Sequence, residues 1–231
     1  MTTQYPENSP TMASLVHAAR AGNLEEVQKL LARGYDPNAI DEDERTALHW
    51  AAAGGHMDVA DLLVGLSKIN HQDDSGWTPL MSAVSAGHVE MVSFLLSKGA
   101  NPNLANENGQ IPLHYHKGRP EMTELLLDVT NDINTADRSG STPLMRALGG
   151  RPAPDIVVQF LDHNAKLNTK DIHGNTPLHI AILEGHEAMA RLLLEYGAKP
   201  NALNNEKQSC LDVAPRALRL QLMAAMQKAT P

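Results

Sequence analysis

Apolar residues in this chain fall in short bursts at helical spacing, and the bursts come in pairs. Leu48, Ala51 and Ala52 mark one narrow face that stops at Gly55, and Val89, Val92, Leu95 and Leu96 mark a broader face that stops at Gly99. Steps of three and four residues place each set on one side of a helix. The pattern predicts a short helix with a small-residue face, a glycine stop, a second helix with a larger apolar face, a second stop, and an extended polar segment. Asn168, Asp171 and Gly174 typify that segment, whose glycine supplies the positive φ of a tight turn.

The unit recurs. Thr46-Ala-Leu-His49 is followed by Thr78-Pro-Leu-Met81, Ile111-Pro-Leu-His114, Thr142-Pro-Leu-Met145 and Thr176-Pro-Leu-His179, with a decayed copy at Ser209-Cys-Leu-Asp212 and an earlier one starting near Ala13. The start-to-start spacings are 33, 32, 33, 31, 34 and 33, so seven copies fill the chain from residue 12 to 231 as one array. The threonine caps the first helix, and a proline at its first position has a pre-set φ and no amide hydrogen to leave unpaired. Two copies are irregular. The one beginning at Ile111 is about two residues short in its first helix, and the next carries GGRPAPD before its second helix. Distortion is therefore expected at 116–120 and 149–155. The segment from Pro215 to Lys228 is expected to cap the array, with its Leu/Met stripe as cap core. Residues 1–11, polar and proline-containing, are expected to form a disordered arm.

The period and the T-P-L-H pattern resemble the ankyrin repeat over about 200 residues. The fold class implied is an all-α solenoid of stacked helix-turn-helix units with β-hairpin turns, each unit packing on its neighbours.

That register removes most of the candidate chemistry. Of 11 histidines, His49, His114 and His179 hold the fourth position of the turn, where an imidazole can bond the capping hydroxyl and nearby backbone. His56, His88 and His186 follow the glycine stop. All six read as structural. Cys210, the only cysteine, sits in a turn and reads as a core filler; it excludes an intramolecular disulfide. Phosphate loops, nucleophile elbows and zinc spacings are missing. No enzyme activity, metal or cofactor is expected.

Charge narrows the partner class. With 27 Asp+Glu against 19 Lys+Arg, a net charge of −8 disfavours a nucleic-acid groove. No apolar run reaches the roughly 20 residues that span a bilayer. The expectation is a protein-binding scaffold, monomeric when free, in cytoplasm and nucleus. Binding in stacked repeats falls to the variable turn tips and the exposed side of each first helix. Asp43, Arg45, Trp50, Asp73, Asp74, Trp77, Tyr115, Lys117 and Arg119 are the candidate partner-binding residues. Tryptophan and arginine are enriched at binding hot spots, although both tryptophans could instead pack across adjacent turns. The acidic clusters alternate with Arg45, Lys117 and Arg119, a pattern suited to a partner carrying the inverse.

The segments DEDERTALHWAAAGGH, DDSGWTPL, NENGQIPLHY and NTPLHIA also resemble the gankyrin family, ankyrin-repeat assembly chaperones of the proteasome regulatory particle. The resemblance implies a partner, the C-terminal helical domain of a proteasomal AAA ATPase subunit, held on the concave face. It places basic contacts at Arg45 and Lys117 and acidic ones near Asp43 and Asp74, and Trp50 and Trp77 match family tryptophans. Animal members carry an L-x-C-x-E segment for a retinoblastoma-type protein. Ile180-Ala-Ile-Leu-Glu184 lacks both its leucine and its cysteine, so that function is not implied. The alternative is an adaptor regulating a cyclin-dependent kinase or a transcription regulator.

Overall fold

Every predicted repeat start carries a helix or helical turn in the structure, a computed structural model that describes residues 12–116, 118–216, 218–220 and 223. The expected N-terminal arm lies outside the described residues. The chain divides into two compact units between Glu107 and Asn108.

In the first unit α1 (Met12–Arg20) and α2 (Leu24–Ala32), α3 (Ala47–Gly54) and α4 (Met57–Val64), and α5 (Pro79–Ala86) and α6 (Val89–Ser97) form three helix pairs. Thr78 caps α5 by accepting the Met81 amide at 3.2 Å, and Gly55 and Gly87 stop α3 and α5 in left-handed conformation at φ 68° and 89°. The small residues of the first helices let pairs approach closely: Ala47, Ala51, Ala52 and Ala83 are wholly buried. Val59, Leu63, Met91, Val92 and Leu95 fill the layer beneath. Each such fully buried side chain contributes roughly 1.5–3 kcal/mol.

The second unit begins at the irregular copies. A 3-10 turn at Pro112–Tyr115 replaces the expected first helix and is followed by α7 (Pro120–Val129). Next come α8 (Pro143–Leu148), only six residues long, and α9 (Pro154–Asp162). The two shortened elements end just before the segments 116–120 and 149–155 where distortion was expected. The pair α10 (Pro177–Leu183) and α11 (Glu187–Glu195) is regular, and α12 (Cys210–Val213) opens the last copy. Of the expected cap stripe, Leu218 is buried but Leu220 and Met223 are exposed, so the described part of that stripe is core at Leu218 only.

Between the helix pairs the chain turns through hairpins held by isolated bridges, Ile40 with Thr46 and Leu203 with Ser209, and no sheet forms among the described residues. One carboxylate or amide organises each turn. Asp73 Oδ1 accepts the amides of Ser75 and Trp77, and Asp137 Oδ1 accepts those of Ser139 and Ser141. Asp171 and Asn204 repeat the arrangement. Successive turns are then tied backbone to backbone: Asp74 N–H to Asp43 C=O and Glu107 N–H to Ser75 C=O in the first unit, Arg138 N–H to Asn108 C=O and Ile172 N–H to Ser139 C=O in the second.

Candidate functional site

The recurring histidines form the frame on which the variable residues sit. His49 is fully buried; its Nδ1 accepts the Thr46 amide at 3.1 Å and lies 2.9 Å from Thr46 Oγ1, while Nε2 donates to the Trp77 carbonyl at 3.0 Å. His114 and His179 repeat this with the carbonyls of Ser141 and Gln208, each one repeat further on. His56 and His88 reach the other way, to the carbonyls of Arg20 and Ala53. His186 is the exception: its Nε2 is buried without a hydrogen-bond partner among the described residues. Counted back by the same interval, its acceptor would fall in the irregular GGRP segment, where the chain has left register. Cys210 is a buried thiol whose pKa burial pushes up to about 11, 3.2 Å from His179 Nδ1.

Two repeat positions carry side chains that bond the turns. The residue before the capping position reaches the next turn: Arg45 Nε donates to Asp73 Oδ2 at 2.9 Å, and Gln110 Nε2 donates to Asp137 Oδ2 at 3.1 Å. The residue after the turn histidine, or the methionine in its place, reaches back to its own turn. Trp50 Nε1 donates to Asp41 Oδ2 at 2.7 Å, and Arg146 to Asp137 Oδ2 at 2.6 Å. Asp137 is thus held from four sides. Burial opposes its charge, but hydrogen bonds from Ser139, Arg146 and Gln110 keep its carboxyl well below the usual range.

These contacts place the candidate residues. In the first unit Trp50 is half-buried, with two guanidinium groups over its ring, Arg20 at 4.3 Å and Arg45 at 5.1 Å from its centre. Asp73, with 1% of its side chain exposed, lies behind this cluster as the turn fixture that holds Arg45. Asp43 and Asp74 are exposed on bonded turn tips. Trp77 is half-buried, its amide bound to Asp73 and its carbonyl to His49. Arg20, which completes the stack on Trp50, was not among the sequence candidates. In the second unit the Tyr115 hydroxyl donates to Gln110 Oε1, and Arg119 is exposed at the start of α7. Lys117 lies outside the described residues.

One cluster of possible metal ligands occurs among the described residues, Glu124, Asp128 and His163, with donor atoms within 4.8 Å of one another. Glu124 and Asp128 are exposed, and His163 pairs with Asp128 at 3.5 Å. The hydrogen bond of its Nδ1 to the Gln159 carbonyl, reinforced by Asp128, raises the His163 pKa. Among the described residues no helix is long and apolar enough to cross a membrane.

Capped helix pairs joined by Asx-organised turns, carrying a charged and aromatic surface, define a repeat scaffold for protein binding. The pattern of ankyrin repeats (3 copies) matches residues 15–106, 98–171 and 115–204, and the chain belongs to the ankyrin-repeat family. It is 31% identical over 221 residues to the putative palmitoyltransferase ZDHHC13 of Danio rerio, covering 92% of this chain and 34% of that protein. It is also 31% identical over 134 residues to the transient receptor potential cation channel subfamily A member 1 of Homo sapiens, covering 53% of this chain and 12% of the channel. The chain therefore spans about a third of the first relative and about an eighth of the second. Among solved structures it is similar to the human ASB11 ankyrin repeat domain, with TM-score 0.79, 28% identity, and 94% of this chain and 98% of that one covered. It is likewise similar to the ankyrin repeat domain of Bcl-3, a member of the IkappaB protein family, with TM-score 0.81, 25% identity, and 95% and 100% covered.

Proposed function

We propose that this ankyrin-repeat scaffold is an assembly chaperone of the proteasome regulatory particle. Its ligand is the C-terminal helical domain of a base AAA ATPase subunit, bound in cytoplasm and nucleus. The observation that carries the reading is the cluster around Trp50: an amphipathic ring, partly exposed, with the guanidinium groups of Arg20 and Arg45 over it, in a unit whose bonded turn tips expose the carboxylates of Asp43 and Asp74. A rigid aromatic anchor loses little entropy on binding, and alternating charges around it fix the register of a partner with the inverse pattern. The resemblance of DEDERTALHWAAAGGH and DDSGWTPL to the proteasomal chaperones supports the choice of partner. The mechanism is steric and reversible: a bound scaffold delays docking of the ATPase base onto the proteolytic core, with no catalytic step.

Calorimetric titration of the ATPase domain into the full chain tests this. Arg45→Gln keeps an N–H donor for the buried Asp73, whereas a glutamate there would set a second carboxylate against it. The substitution is expected to weaken binding at least about threefold, beyond the ~0.5 kcal/mol of an isolated exposed pair. Failure of the unaltered chain to bind the domain at low salt would overturn the reading. Equal affinity of the variant would place Arg45 outside the interface. Recovery of a kinase or a transcription regulator from the native host, in place of an ATPase subunit, would favour the adaptor.

A further inference from the structure

The two irregular repeats adjoin, and together they open a cavity. A regular first helix here has seven or eight residues, as in α3, α5 and α10. In the irregular copies the corresponding elements are a four-residue 3-10 turn and the six-residue α8. The missing helical residues leave a space of ≈ 420 Å³ whose walls include Tyr115, His116, Arg146, Arg151 and Ile156. This is the scale of a pocket that accepts a side chain or a small ligand.

Its lining is unusual for this protein. The chain carries a net charge of −8, yet among the described residues two arginines and no carboxylate line the pocket. Arg146 commits one terminal nitrogen to Asp137 and is 45% exposed, so further guanidinium donors remain. Arg151 is exposed and has no hydrogen-bond or ion-pair partner among the described residues. His116 is buried, stacked edge-on against Phe160 at 5.7 Å, and its Nδ1 accepts the Gly118 amide at 3.2 Å. That bond fixes the proton on Nε2, and burial, with His114 nearby, lowers the pKa to about 4, so the ring offers a neutral N–H. The pocket thus offers donors from several directions, a setting for an anion with two acceptor oxygens.

We infer that this cavity is a carboxylate-binding subsite, which receives an acidic side chain of the protein partner between Arg146 and Arg151. A side chain and not a free metabolite is indicated by register, because Tyr115 and Arg146 stand at the repeat position that Trp50 occupies in the first unit. The inference deepens the protein-binding reading and rests on it. Neither distortion is then a defect of folding alone: the shortened elements exchange helix for a charged recess.

The test uses the full, isotope-labelled chain and amide chemical shifts at low salt. Acetyl-Leu-Glu-Leu-amide is expected to produce saturable shifts at Gly118, Gly149 and Gly150. Its isostere acetyl-Leu-Gln-Leu-amide should bind at least tenfold more weakly. Arg151→Glu should weaken the glutamate peptide at least tenfold with an unchanged melting curve, since Arg151 makes no hydrogen bond or ion pair among the described residues. Equal binding of the two peptides, or an unaltered response in the variant, would overturn the subsite. Succinate binding as tightly as the glutamate peptide would overturn the assignment to a partner side chain. The ATPase domain separates this idea from the proposed function. If the peptide binds and the domain does not, the chaperone reading falls and the subsite stands. If the domain binds equally well to Arg151→Glu, the subsite falls and the chaperone reading stands.

Discussion

Acidification from pH 7 to pH 4 is expected to destabilise the first unit by about 3 kcal/mol through His49 alone. Its pKa is lowered from 6.5 to about 4, chiefly by burial. The hydrogen bonds explain why the neutral ring is required. Nδ1 faces the Thr46 amide as an acceptor while Nε2–H faces the Trp77 carbonyl, so a second proton would set N–H against N–H. Between pH 6.5 and pH 4 the unfolded chain binds the proton and the folded chain does not. Stability therefore rises with pH in that window. The contribution is complete above 6.5 and is lost as pH falls through 4. A difference of about 2.5 units at 1.36 kcal/mol per unit gives the ~3 kcal/mol.

His116 has the same lowered value in the second unit, and His114 and His179 shift in the same direction by burial, so both units weaken in one pH window. Asp137 acts elsewhere, because a lowered carboxyl pKa withdraws stability only below the ordinary value of 3.8. Urea midpoints at pH 7, 5.5 and 4.5 measure the effect. His49→Gln should be less stable at pH 7 and show a shallower decline. A midpoint flat from pH 7 to 4.5, or a variant with the slope of the unaltered chain, would show that His49 does not carry the linkage.

The period, the caps and the two irregular copies were legible because each has a local cause in one stretch of sequence. A threonine before Pro-Leu, a glycine at a helix stop and a deletion between two apolar sets need no knowledge of neighbours. The surface was harder to read. Asp73 and Asp137 look like variable decoration in a linear reading, but each closes its turn and takes a donor from the preceding repeat. The signal was present: Arg45 and Gln110 occupy the same register position, and Asp73 and Asp137 follow them at 28 and 27 residues. The Arg20–Trp50 stack and the arginine lining of the cavity have no such signal. They depend on which way a side chain lies across a neighbouring helix, which spacing does not encode.

The turns also yield a prediction in which crowding and strain separate. Gly140→Ala is expected to destabilise the second unit by about 3 kcal/mol, and Gly197→Ala by about 1 kcal/mol. Both glycines are left-handed, at φ 73° and 91°. A methyl group at Gly197 would meet nothing within 4 Å, so that substitution adds conformational strain alone. At Gly140 the methyl would lie 2.8 Å from Asp171 Cα and 3.0 Å from Ile172 N, backbone atoms that cannot step aside as a side chain can. The same approach brings the Ile172 amide to the Ser139 carbonyl at 2.9 Å, so relief of the clash breaks a bond between successive turns. Left-handed geometry is tolerated by itself at this turn position, since Glu44 and Lys207 hold φ of 57° and 60° with full side chains. Urea unfolding of the two variants gives the comparison, and amide exchange at Ile172 reports the bond. Gly140→Ala should lose protection at Ile172 while Gly197→Ala retains it. Equal destabilisation with Ile172 protected in both would show that the turns are not locked by backbone contact at Gly140.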